Sequence, residues 1–197
     1  MTFLRLYKYA RSLNSYPVML EGRVDEEAKK LSSQDELWYV PVDLDLNISY
    51  GHIKQYRQSN GVYTEPLWIT EIRYDRRLNV CWKRFVCCKE LMHVFDSADE
   101  RTNTPEKFRQ LLSELENPPP AEKSSEMYKS ESKAMWMALA ILCPGTVYNA
   151  RKPVWEGEKF SNYAIALELR IPEHYVDALL SDTFAGMLEA LENACKE

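Results

Sequence analysis

Apolar residues at Phe3, Leu6, Tyr7, Ala10 and Leu13 recur at the three-and-four spacing of one helix face and predict an N-terminal helix. A second, shorter helix is expected over Val24–Leu31, with Asp25 near its start. From residue 37 the texture changes. The stretch "LWYVPVDLDLNISYGHIKQYRQSNGVYTEPLWITEIRYD" is rich in β-branched and aromatic residues. Asn60-Gly61 sits between two such runs and predicts a hairpin turn, because both residues tolerate positive φ. Pro66, in the second run, points to an edge strand or a bulge. A small antiparallel sheet over about 38–74 is the expectation.

Beyond the sheet the pattern is helical. Phe85–Ser97 reads as one helix. In "NTPEKFRQLLSELENPPP", Thr104 is placed to cap, Pro105 to open the first turn, and Phe108, Leu111, Leu112 and Leu115 to face a core. Pro118-Pro119-Pro120 stops that helix and opens a polar linker. A long helix is expected from about Glu126 to Cys143, ended by Pro144-Gly145, with two or three shorter helices after it. Sheet first and helices after predicts an α+β fold. The chain reads as one domain, 1–197: N-terminal helices to 35, sheet 38–74, a paired-helix region 79–143 and C-terminal helices 146–197.

Composition narrows the function classes. The chain has 197 residues, 45% hydrophobic and 28% charged, which suits a globular domain with a real core and not a disordered chain. A net charge of −5 argues against a protein built to coat nucleic acid. Basic residues cluster at Arg73, Arg76, Arg77, Lys83, Arg84 and Lys89, and a solvated face is the default reading. No apolar run reaches the ~20 residues of a membrane span, and "MTFLRLYKYARSLNSYP" has no apolar core of a secretion signal. The five cysteines include no C-x-x-C pair. A reduced, cytoplasmic protein is expected.

The chemistry that stands out lies in "RFVCCKELMHVFD", residues 84–96. Lys89-Glu90-Leu91-Met92-His93 has the form of the H-E-x-x-H zinc-protease helix with lysine at the first histidine. In the intact motif two histidines one turn apart hold zinc, and the glutamate acts as general base on the metal-bound water. On a helical projection Lys89, Glu90, His93 and Asp96 share one polar sector, with Ser97 beside them. An ordinary surface helix packed on a core would show the same sector.

Three partial motifs in order set this helix in context: "CWKRFVCCKELMHVF", then "ESKAMWMALAILCP", then "YAIALELRIPEHYVDALL". Over about residues 62–181 the chain resembles the ImmA/IrrE family of zinc metallopeptidases. The family pattern is roughly R-x-R-F-[T]-x-A-H-E-L-x-H, then E-x-E-A-x-x-F-A-x-x-L-L-x-P, then a helix-turn-helix-like segment. The resemblance implies a zincin-like fold, Glu90 as the catalytic base of an active member, and His93 with an acidic residue of the later helix as metal ligands. For that acidic position the register offers Glu131 or, immediately before Ala134, Lys133.

Lysine is protonated at neutral pH and has no lone pair for zinc, so Lys89 removes a ligand. With His93 and Glu131 alone, the site falls short of the three protein ligands that catalytic zinc takes. Lys89 is expected to supply the cation where the metal stood. The expectation is a pseudoenzyme without a cofactor, a regulatory or protein-binding module. The partner implied by the resemblance is a helix-turn-helix transcription regulator. The alternative is an active zinc endopeptidase with altered ligands that cleaves such a repressor.

Other groups carry weaker signals. Cys87-Cys88 falls on the apolar side of the helix, where thiols are inert. His52 and His174 show no partner in sequence. Glu173, His174, Tyr175 and Asp177 stand where a recognition helix would meet DNA, but acidic and uncharged residues disfavour phosphate contact, so direct nucleic-acid binding is not expected.

Overall fold

The β-branched stretch forms three strands, β1 (Glu36–Val42), β2 (Gly51–Gln58) and β3 (Leu67–Asp75), in the order β1-β3-β2. The computed structural model describes residues 2–13, 15–59, 61 and 65–196. β2 and β3 pair antiparallel, from Gly51 opposite Tyr74 to Gln58 opposite Leu67. Asn60 of the expected hairpin turn lies outside the described residues.

β1 pairs parallel with β3, so the sheet is mixed and not antiparallel throughout. The cause is the connection over residues 43–50, which carries the chain across the end of β3 to the opposite edge. Asp75 fastens this crossing. Its buried carboxylate accepts the Leu44 and Arg77 backbone N–H groups, each at 2.8 Å, and its own N–H donates to the Tyr50 carbonyl at 3.0 Å. Pro66 does not mark an edge: it precedes β3, the central strand. Pro41, inside β1, is the proline on an edge strand, where a missing donor can face outward.

The helices are α1 (Thr2–Ser12), α2 (Asp25–Leu31), α3 (Val80–Met92), α4 (Pro105–Glu116), α5 (Glu126–Leu142), α6 (Gly145–Gly157), α7 (Asn162–Leu169), α8 (Val176–Leu180) and α9 (Asp182–Ala194). With the sheet they make an α+β protein. α3 begins five residues before the expected Phe85, because the Asn79 side chain caps it by accepting the Trp82 N–H at 3.0 Å. It ends at Met92, and a single tighter turn over His93–Phe95 leads out of it.

In α4, Thr104 caps as expected by accepting the Lys107 N–H, but the apolar face is only partly buried. Leu111 is buried, whereas Phe108 and Leu115 are 44% and 48% exposed. α4 meets α5 along a narrow seam, and Glu114 helps hold that seam by accepting from both the N–H and Oγ of Ser125, the cap of α5.

α3 lies between the sheet and α5 and is the hub of the core. Phe85, Val86, Cys87, Cys88, Leu91 and Met92 of α3 are all buried. The small residues Ala134 and Ala138 let α5 come close, with Cys88 Sγ 3.9 Å from the Ala138 carbonyl. Gly51 lets β2 lie on α3: a β-carbon there would collide with Val86 and the Arg73 carbonyl. Among the described residues no helix is long and apolar enough to cross a membrane.

Candidate functional site

The α3–α5 crossing brings Lys89, Glu90, His93 and Glu131 together. Lys89 and Glu90 come from the last turn of α3, His93 is its C-terminal cap, and Glu131 lies in the second turn of α5. The Lys89 ammonium sits 2.8 Å from Glu90 Oε1 and 2.6 Å from Glu131 Oε2. Glu131 also turns its other oxygen toward His93, with Oε1 3.4 Å from Nε2. That contact is not aligned as a hydrogen bond, so among the described residues the buried Nε2 has no hydrogen-bond partner.

Of the two register choices, Glu131 faces His93. Lys133 points away from the ammonium, bonds Glu100 and lies 3.7 Å from Asp96.

The opposite side of the imidazole is firmly held. His93 Nδ1 lies 2.7 Å from Asp96 Oδ2, and Ser130 Oγ donates to the other Asp96 oxygen at 2.7 Å. His93, Asp96 and Ser130 are all buried. A carboxylate on one ring nitrogen directs the second nitrogen outward, the arrangement by which metal-binding histidines are oriented. Here that second nitrogen points at Glu131 and the Lys89 charge. Asp96 shared the polar sector in sequence, but Ser130 carried no signal of its own. Its role depends on α5 crossing α3 at this level.

The charges settle one another. Burial opposes the Lys89 charge, but Glu90 and Glu131 outweigh it and raise its pKa above that of a free lysine. Burial likewise pulls on His93, yet Asp96 and the nearby Glu131 lift it to about 9, so the ring is protonated at neutral pH. Glu131 is buried too, but the Lys89 charge and then His93 hold its pKa below the usual carboxylate range. The cluster is thus a closed set of two cations and three carboxylates, counting Asp96.

These residues do not fit a zinc ion. An ammonium without a lone pair lies against Glu90 and Glu131, the carboxylates a metal would need. The remaining donors are one imidazole nitrogen and one carboxylate, against the three protein ligands a catalytic zinc takes. Among the described residues no three His, Cys, Asp or Glu side chains are grouped as a metal would need.

Around the cluster, Tyr175 from the short turn before α8 stacks on Phe85 with ring centres 3.9 Å apart. Tyr175 therefore packs against α3. His174 sits edge-on against Tyr175, and Asp177 accepts from Asn162. His52, half-buried on β2, has its pKa lowered chiefly by burial. The Cys87 and Cys88 thiols are pushed up to about 12 by burial, which leaves them unreactive, and the five cysteines are unpaired.

The basic stretch is solvated at Arg76 and Arg77, which are exposed as expected, and most of its cations also find carboxylates. Arg73 pairs with Glu71, Arg76 with Asp43, Arg77 with Asp75, Lys83 with Glu21 and Lys89 with Glu131. The sheet and its crossing loop supply most of these carboxylates, and proximity in the fold decides the pairing. Arg84 is the exception. No family model, no curated protein and no solved structure matches the chain.

Proposed function

We propose that this chain is a non-catalytic regulatory or protein-binding module on an ImmA/IrrE-like metallopeptidase scaffold, in which the Lys89 ammonium replaces the metal. One observation carries the reading: the ammonium lies between Glu90 and Glu131 at 2.8 and 2.6 Å, opposite a histidine oriented by Asp96. An ammonium neutralises the carboxylates a metal would have met, but it cannot lower the pKa of water from about 15.7 to about 7. Glu90, engaged by Lys89, then has no activated nucleophile to deprotonate.

Protein binding is favoured over DNA binding because the 163–180 segment presents acidic and packed residues. β2 is a sheet edge beside α3, and an extended peptide could add to it through backbone hydrogen bonds. The partner implied by the resemblance is a helix-turn-helix regulator.

Two measurements test the reading. Protein purified from zinc-supplemented medium should carry well under one zinc per chain by elemental analysis. Incubated with an intact helix-turn-helix repressor and added Zn²⁺, it should bind the repressor and leave its mass unchanged. Near-stoichiometric zinc, or zinc-dependent cleavage, overturns the non-catalytic reading. Absence of binding overturns the proposed partner.

A further inference from the structure

Arg84 differs from every other cation of its stretch. Among the described residues no ion pair reaches it, and its Nε and Nη2 are shut off from water without a hydrogen-bond partner. A guanidinium left this way is costly, since it forfeits hydration and receives nothing in exchange. It lines a cavity of about 270 Å³ formed where α3 meets the turn before α2 and the end of α7. A second arginine without an ion pair among the described residues, Arg170, lines the same cavity. Burial lowers the pKa of Arg84, and the like charge of Arg170 on the same cavity wall adds to it.

Arg170 also holds an unusual backbone. It caps α7 in the left-handed conformation, φ 54° and ψ 49°, a position where glycine is preferred. The other charges on the cavity wall cancel: Lys83 pairs with Glu21 at 3.4 Å. What remains is the partly buried Arg84 guanidinium, with two nitrogens unpartnered, and the exposed Arg170 beside it. Beside them the walls include Met19 and Val80, large apolar side chains that are 53% and 64% exposed.

We propose that this cavity binds a small organic anion, its carboxylate or phosphate head held by Arg84 and Arg170 and its short apolar body resting on Met19 and Val80. A planar guanidinium matches either oxyanion with paired hydrogen bonds, and the incoming charge supplies the acceptor that Arg84 lacks. The volume lies just below the usual range of small-molecule sites, which limits the body to a few carbons. The site is independent of the Lys89 cluster. Val80, Lys83, Arg84 and Cys87 form one face of α3, whereas Lys89 and His93 lie on another.

The test is titration calorimetry in low-chloride buffer with hexanoate, hexyl phosphate, acetate, inorganic phosphate and hexanol. Hexanoate or hexyl phosphate should bind saturably at one site per chain, at least tenfold more tightly than acetate or inorganic phosphate, and hexanol should not bind. Whichever of the two binds more tightly identifies the head group. Arg84→Met and Arg170→Gln should each weaken binding at least tenfold, and Arg109→Gln, on exposed α4, should leave it unchanged. In the absence of ligand, Arg84→Met should melt no lower than wild type, because it removes an unpaired buried guanidinium. Should Arg84→Met fail to fold, Arg84 is a structural residue and the proposal falls. Saturable binding of none of the anions, or binding that survives Arg170→Gln intact, also overturns it.

Discussion

Replacing Lys89 by Met keeps most of the unbranched stem and removes the charged nitrogen with its hydrogen-bond donors. The ammonium lies 2.8 Å from Glu90 and 2.6 Å from Glu131, whose side chains are 5% and 25% exposed. At an effective dielectric of about 20, each pair is worth on the order of 6 kcal/mol of Coulomb energy, most of it already offset by the desolvation of the three groups. Truncation keeps that desolvation for the carboxylates and loses the attraction. His93, 3.4 Å from Glu131, compensates in part. A loss of about 3–5 kcal/mol is therefore expected, or roughly 6–20 °C in Tm for a chain of this size. Urea unfolding at pH 7 measures it, with Lys30→Met, at a 70% exposed side chain, as the control near zero. The sign with pH follows from Glu131. Its folded pKa is depressed, so its contribution is present above the ordinary value of 4.5 and disappears as pH falls. The gap between wild type and Lys89→Met should close in acid. A double-mutant cycle with Glu131→Gln should return a coupling of about 1.5 kcal/mol or more. A loss below about 1 kcal/mol, indistinguishable from Lys30→Met, would refute the view of Lys89 as the central cation.

The remaining predictions are as follows. His93 titrates near 9 in the folded chain against 6.5 unfolded, so its stabilisation is complete below about pH 6.5 and is lost as pH rises through about 9. Between pH 6 and 10 the wild type should lose about 2–3 kcal/mol more than His93→Gln in urea melts, and parallel curves would contradict this. Leu111→Ala, at a buried site, should cost about 2–5 kcal/mol, while Phe108→Ala, 44% exposed, should cost under about 1. Lys89→His supplies the missing third ligand beside His93 and Glu131 and should take up about one zinc per chain. Adding Glu131→Gln to it should abolish that uptake.

Where the sequence could be read and where it could not follows the distance over which each feature is decided. The helix carrying the cluster was legible because Lys89, Glu90 and His93 follow one sector by helical geometry, whereas Asp96 is brought to His93 by the tighter turn after α3. Its start was misplaced by five residues because the capping bond from Asn79 outweighs the apolar periodicity that begins at Phe85. Strand content was legible from β-branched and aromatic residues, but strand direction was not. The 43–50 crossing that makes the sheet mixed rests on Asp75, Leu44 and Tyr50, which sequence does not place together. Phe108 shows the same limit in a helix: periodicity says which face is apolar, and only the width of the seam with α5 says how much of that face is covered. The two most informative cations in the chain make the contrast sharpest. Lys89 and Arg84 lie five residues apart on one buried helix. Lys89 is answered by a carboxylate because α5 delivers Glu131 at 2.6 Å; Arg84 turns to another face, where α7 delivers a second arginine. Identical local chemistry is thereby sent to opposite ends: one charge is held among carboxylates, and the other is left open to an anion from outside.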